Sequence, residues 1–280
     1  YFENHDPVLH AEHLDRAQDA GAPRAYLAAA ELEASAYRTE RAHSLASQGL
    51  SIACEQHDRF LLQCRLGEWE LDLGLPAKAR ESFTGAAALA SGDADYCRVN
   101  LGLAAALRLN DRQPEALALL EDVEVAALRG GLRDYMSRIS HLRGNLLFTL
   151  GKLEDCRNQH QRALDHAREA GSLELEARAL GGLADASYAE GRLLTSHQQF
   201  RRCVALAEQM GLGRVAVANR SMAAVTQIAS GDMQGTLEAS LEAIEAAKSV
   251  GQDRATLVAH HGAHQASWFM GRYDSARFHC

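Results

Sequence analysis

Proline is scarce in this chain, 4 among 280 residues, while glycine is frequent at 22, so glycine rather than proline is expected to punctuate its helices. No apolar run approaches the roughly 20 residues needed to cross a bilayer. The opening YFENHDPVLH lacks the basic segment followed by an apolar one that marks a secretory leader. The chain reads as soluble and unsecreted. The six cysteines, Cys54, Cys64, Cys97, Cys156, Cys203 and Cys280, form no C-x-x-C pair and no compact framework. That fits a reducing compartment, with the cytoplasm as the expected location. A basic excess is also lacking: the net charge is −8 and the pI near 5.9, which argues against a general nucleic-acid binder, because phosphate contact needs a basic face.

The usual signatures of chemistry are missing as well. There is no G-x-x-x-x-G-K-[ST] phosphate loop, no G-x-S-x-G and no H-E-x-x-H. GLGRVA at 211–216 imitates a dinucleotide-binding turn, but it follows a helical pattern where the fingerprint requires a strand. NRS at 219–221 fits a glycosylation acceptor but falls inside a predicted helix. No catalytic residue, cofactor or metal is assigned, and an enzyme within these residues is not expected.

What is present is repetition. FTLGKLEDCRNQHQRAL, from Phe148 to Leu164, is followed forty residues later by YAEGRLLTSHQQFRRCV, and again by IASGDMQGTLEASLEAI and WFMGRYDSARFHC. Glycine falls at 131, 151, 171, 191, 211, 231, 251 and 271, one every twenty residues. The segments between are rich in Ala, Leu, Glu, Gln and Arg, which are helix formers. Glycine takes the left-handed conformation that ends a helix, so the period predicts helices of about 15 residues, on the order of 22 Å long, joined by tight turns.

Two helices make one unit, and shorter units continue the pattern around GLPAKARESF and NDRQPEALALL. Small residues recur in register. Ala30, Gly67, Ala104, Gly144, Ala184 and Ala224 lie mid-way along the first helices, with His264 in the last unit. Ala42, Ala79, Ala116, Cys156, Ser196, Thr236 and Ala276 come early in the second helices. Gly49, Ala86, Val123, Ala163, Cys203 and Ala243 follow two turns later. Small side chains at fixed places let helices approach closely, so Cys156 and Cys203 read as packing residues.

With LGEWELDLGLPAKARESFTGAAALA and LRGNLLFTLGKLEDCRNQHQRALDHA, the pattern resembles the tetratricopeptide repeat over residues 23–280. That resemblance implies an all-α fold, a right-handed α-solenoid of antiparallel helix pairs. It predicts an opening helix over residues 1–22, with Asp6 and Pro7 starting it and Gly21 ending it before Pro23 opens the next. Seven helix pairs then fill residues 23–280, the last one truncated. The units depart from the commonest form in being mostly forty residues long and in lacking a closing proline. In this they resemble the repeats of large bacterial signalling proteins, where they follow a nucleotide-binding switch ATPase. Residues 5–53 resemble the junction in such ATPases, including those coupled to adenylate cyclase domains and maltose-regulator-like transcription activators. A chain starting without Met and ending at RFHC within a repeat reads as a piece of a longer protein, with the junction facing an upstream domain.

Candidate binding residues form a ladder. Arg98, Arg138 and Arg178 lie forty apart near the starts of three first helices. His141, Asn145 and Phe148 follow Arg138; Asp185 and Tyr188 follow Arg178; His261, Gln265 and Trp268 line the last unit. The resemblance implies that first helices line the inside of a curved surface. Basic, amide and aromatic groups there suit an extended peptide with an acidic group. The alternative is that these side chains are merely solvated or bonded to the adjacent helix. The carboxylate-clamp pattern of chaperone-binding members is not reproduced. In HHGAH, His260 and His264 are one helical turn apart and could share a cation, but His261 points about 100° away, so a packing pair is expected; His10 and His13 are read likewise.

The function expected is a non-catalytic interaction scaffold that binds a protein, a peptide or a neighbouring domain of its own chain on a concave face, as a regulatory part of a signalling protein. A small-molecule sensor or oligomerisation arm of a switch ATPase is the second expectation.

Overall fold

The computed structural model describes residues 6–280. Regular structure among them is helical: α1 (Pro7–Arg16), α2 (Ala22–Ser35), α3 (Thr39–Ile52), α4 (Gln56–Asp72), α5 (Pro76–Ala87), α6 (Gly92–Leu109), α7 (Gln113–Arg129), α8 (Arg133–Thr149), α9 (Leu153–Glu169), α10 (Leu173–Ala189), α11 (Leu193–Gln209), α12 (Gly213–Gln227), α13 (Met233–Ser249), α14 (Asp253–Phe269) and α15 (Tyr273–Phe278). The chain divides into two compact units, one ending at Tyr135 and one beginning at Met136, in the first turn of α8. In the first unit each helix from α1 to α7 packs on the next, and α4 also touches α2 and α6. In the second, α9 to α15 pack in the same succession, with α12 lying against both α10 and α14. Each unit is thus a stack of antiparallel helix pairs, the arrangement of an α-solenoid.

The turns explain the pitch. Each of the eight periodic glycines has a positive φ, from 65° at Gly131 to 79° at Gly231, a region that costs an L-residue roughly 1–2 kcal/mol. At Gly171, Ser172 N–H returns to the Ala167 carbonyl at 3.0 Å, and Arg192 N–H does the same to Ser187 past Gly191 at 2.9 Å. These bonds satisfy carbonyls that the helix end leaves open. The next helix begins two residues after the glycine, so α8 to α11 are each 17 residues long, slightly longer than the period suggested. Where glycine is missing, Tyr37 (φ 63°) and Asp111 (φ 55°) hold the same left-handed place.

At the start of the chain the structure corrects one boundary. Asp6 caps α1, its Oδ1 accepting from Val8 N at 3.1 Å and Leu9 N at 3.0 Å. However, α1 ends at Arg16, with Gln18 in the left-handed region. Gly21 instead precedes α2 at φ −79°. The Asp19 carboxylate accepts from Gly21 N at 2.7 Å, and this local side-chain bond makes the turn without glycine's freedom.

Between first helices, the small residues form slots that second-helix side chains fill. Phe83 of α5 is 1% exposed and lies between Gly67 of α4 and Gly102 of α6, where an added Cβ would meet its ring at 2.8 and 2.3 Å. His160 of α9 occupies the corresponding place in the second unit, between Gly144 of α8 and Gly182 of α10, at 2.7 and 2.3 Å. Phe200 fills it against Ala184. At Ser240 the slot is filled by closer approach instead, a Cβ on Gly262 of α14 coming within 2.5 Å of the Ser240 Oγ. Cys156 and Cys203 are fully buried, and burial pushes their thiols up to about 11 and about 12. They pack as small apolar residues and are inert.

Buried carboxylates tie the pairs together. Glu70 of α4 sits 3.0 Å from His43 Nε2 of α3 and accepts from Ser82 of α5 at 2.7 Å. Glu176 of α10 accepts from Arg202 of α11 at 2.8 Å and from Arg168 of α9 at 3.3 Å.

Two predictions follow from the turns and slots. Gly171 has open space around it, so Gly171→Ala should cost about 1 kcal/mol through backbone strain alone, whereas Asp111→Gly should raise the melting temperature. His160 has no partner for its Nδ1, and burial lowers its pKa to about 4. The unfolded chain takes up that proton below about pH 6.5 while the folded chain refuses it, so stability falls as pH drops from about 6.5 toward 4. His160→Phe should remove this component, worth roughly 3 kcal/mol at the acid end, read as the difference between the two proteins' stability-versus-pH curves.

Candidate functional site

Residues 138, 141, 145 and 148 follow the i, i+3, i+7, i+10 spacing of a single helix face, as do 178, 185 and 188 on α10 and 261, 265 and 268 on α14. The structure divides the ladder. Arg98 belongs to the first unit, where its Nε and Nη2 donate to Glu68 Oε1 at 3.1 and 2.9 Å, so its guanidinium is engaged. Arg138 is exposed and makes no hydrogen bond or ion pair with another described residue. Arg178 is exposed too, and its Nε donates at 3.1 Å to Glu174 one turn back. A solvent-exposed pair of that kind is worth a few tenths of a kcal/mol and is easily exchanged.

The remaining ladder residues fall into two groups. His141 is half-buried, edge-on to His160 with ring centroids 5.1 Å apart, and Asn145 Nδ2 donates to its Nε2 at 3.2 Å. These two are held in place by neighbours. By contrast, Phe148 is 40%, Tyr188 38% and Trp268 57% exposed, large apolar areas left to water. Trp268 is oriented by Tyr273 edge-on at 5.3 Å and by His264 stacked at 6.4 Å. His261 is exposed and Gln265 half-buried.

Asp185 is the electrostatic exception. Its side chain is exposed, although neighbouring protein displaces part of its hydration. That crowding raises its pKa to about 6, with Arg254 of α14 acting weakly in the opposite direction. Next to it, period-based reading missed two residues. Asn219 of α12 reaches toward α10, its Oδ1 2.9 Å from where a Gly181 Cβ would stand; Arg254 faces Asp185 from two helix pairs further on. Neither shares the ladder's forty-residue register, the only signal that spacing offered.

Other candidates are resolved differently. His260 Nδ1 lies 2.9 Å from His279 Nδ1, and His264 Nδ1 donates to the Ala276 carbonyl at 2.9 Å. His260 and His264 are therefore held separately, by His279 just beyond α15 and by Ala276 within it. No group of three or more metal-ligating side chains is assembled among the described residues. GLGRVA is the turn between α11 and α12, with Gly211 at φ 67°, and NRS lies inside α12 with Ser221 buried. Between α11 and α12 a cleft of about 200 Å³ is lined by Arg201, Val204, Ala205, Glu208, Arg220 and Ala223, below the size of a typical small-molecule site. No helix among the described residues is long and apolar enough to cross a membrane.

No protein-family description matches the sequence, and no curated protein matches it. Solved structures do. A signal-transduction ATPase with numerous domains and a tetratricopeptide-repeat sensor, from Pyrococcus horikoshii, superposes over 96% of this chain with a TM-score of 0.65 at 14% identity. The fold is that of a tetratricopeptide-repeat array. A Rap protein complexed with competence and sporulation factor matches 92% of the chain and 95% of its own length, with a TM-score of 0.61 at 12% identity. A tetratricopeptide-repeat protein from Thermus thermophilus matches 69% of this chain and 97% of its own, with a TM-score of 0.53 at 19% identity. The array spans 42% of the length of the Pyrococcus protein.

The crowding of Asp185 makes a stability prediction. Its carboxyl binds a proton more tightly in the folded array than in the unfolded chain, so it stabilises the fold at low pH and loses that contribution as pH rises from about 4 through about 6. Asp185→Asn should therefore raise the melting temperature at pH 8 by more than at pH 5; an equal shift at both would show that the carboxyl is ordinarily hydrated.

Proposed function

We propose that this array is a non-catalytic protein-interaction module. It captures a peptide segment, or a neighbouring domain of its own chain, on the concave side of the first helices of its second unit. The observation that carries this reading is the combination, on corresponding faces of α8 and α10, of the unpartnered Arg138, the loosely held Arg178 and the exposed rings of Phe148 and Tyr188. Guanidinium groups bind a partner carboxylate through paired hydrogen bonds, and aromatic rings supply most of the anchoring area in such interfaces. Holding these groups out in water serves no packing purpose, whereas other residues of the same helices, such as Leu147 and Ser187, are buried.

The partner's contribution is thus a carboxylate set beside apolar side chains. Two of the solved structures support a regulatory role by analogy of fold: the repeats of the Pyrococcus protein are described as a sensor, and the Rap protein is bound to a factor. In this reading the array is the part of a larger cytoplasmic signalling protein that reports partner occupancy.

The test is selection of dodecapeptides from a display library on the purified chain, followed by fluorescence anisotropy with the best binder. Arg138→Glu combined with Arg178→Glu should weaken that binding about tenfold or more with unchanged helicity by circular dichroism. Binding of equal strength would place the interaction elsewhere.

A further inference from the structure

Asp185 differs from the paired carboxylates of the array. Asp58, Glu33, Glu70 and Glu176 each face a basic side chain, from Arg24, Arg38, His43 and Arg202 respectively. Asp185 has neither a hydrogen bond nor an ion pair with any described residue. Arg254 of α14 lies within electrostatic reach, as do the un-ionised thiols of Cys156 of α9 and Cys203 of α11. None of them satisfies it.

Its surroundings continue the same chemistry. One turn toward the start of α10, Gly181 has no side chain, and the Asn219 amide occupies the space with its oxygen toward α10. One N–H of the amide's Nδ2 is committed to the Val215 carbonyl at 2.8 Å, which fixes the amide with its oxygen, an acceptor, on the α10 side. One turn in the other direction stands the exposed ring of Tyr188. Residues 181, 185 and 188 share one face, about 5–6 Å apart per turn. A carboxylate, an amide oxygen and the face of an aromatic ring are thus set within two turns of helix.

We propose that Asp185, Asn219 and Tyr188 form a seat for one basic side chain, Lys or Arg, of the partner segment. An ammonium or guanidinium there would donate to the Asp185 carboxylate and the Asn219 oxygen and lie against the Tyr188 ring. Asp185 has given up part of its hydration before the partner arrives, so less desolvation is left to oppose the new bond. Arg178, seven residues away and about 10 Å along the helix, takes the partner's acidic group. The occupant therefore carries both signs of charge. This inference rests on the first-helix face being the partner surface, and it adds a second recognition element to it.

Three proteins, each used as the full chain, test it: wild type, Asp185→Asn and Asp185→Lys. Dodecapeptides selected on wild type should share a Lys or Arg at one position. Asp185→Asn should bind the best of them about tenfold or more weakly. Replacing that basic residue by alanine should cost a similar factor on wild type and little further on Asp185→Asn, the pattern of a direct pair. Asp185→Lys should select Asp or Glu at the same position, and it serves as the second reading if the asparagine variant melts early. Peptides without a basic preference, or equal binding by Asp185→Asn, would overturn the seat. In that case continued sensitivity to Arg138→Glu with Arg178→Glu would leave the wider partner surface standing. Failure of wild type to select any peptide would sink both.

Discussion

Everything in this protein depends on how closely one first helix can approach the next. The distance is set by glycine and alanine on the first helices and, in four of the pairs, by a single inserted side chain from the second helix: Phe83, His160, Phe200 or Ser240. These choices are complementary. Two glycines accommodate a ring, and a serine requires its neighbouring helix to come in to a glycine. Interiors pack at crystal-like density, so neither partner of a slot can change size without leaving a void or a clash. An imidazole at position 160 satisfies shape at the expense of polarity. Its ring fits between Gly144 and Gly182, yet its Nδ1 is left without a partner and its pKa is driven down to about 4.

Because the slots consume one side of each first helix, the other side is released from packing. This is how a repeat stack separates stability from recognition: one face is fixed by its neighbours, and the other varies unit by unit. The contrast between Arg98 and Arg138 shows the consequence. Arg98 is paired with Glu68, so binding a new anion would first break two hydrogen bonds. Arg138 has no such bonds to break. Asp185 adds an opposite charge to the same face, and its crowding is a standing cost that the fold carries without a stabilising return of its own.

Much of this architecture was legible in the sequence because turn and slot are both local in register. A glycine every twenty residues marks the places where φ must be positive, and the helices end there as that spacing implies. The small-residue series was visible for the same reason, and all but His264 among its second-unit members are buried. At the opening helix the reading failed. Gly21 was taken for its end, but an Asp19 side-chain bond makes the turn, and such bonds are not written in glycine spacing. His160 passed unnoticed because its role is visible only when α8 and α10 are seen on either side of it.

The sequence alone therefore determined the class of fold, the lengths of helices α7 to α14 to within about two residues, and the faces on which the candidate groups stand, since each follows from backbone conformation and helical periodicity. Tertiary structure decided which of those groups are engaged. It paired Arg98 and left Arg138 open. It brought Asn219 against Gly181 and Arg254 within electrostatic reach of Asp185. It also divided the chain into two compact units within α8. Charge pairing and desolvation depend on atoms tens of residues apart being brought within a few ångströms, and no periodicity along the chain encodes that proximity.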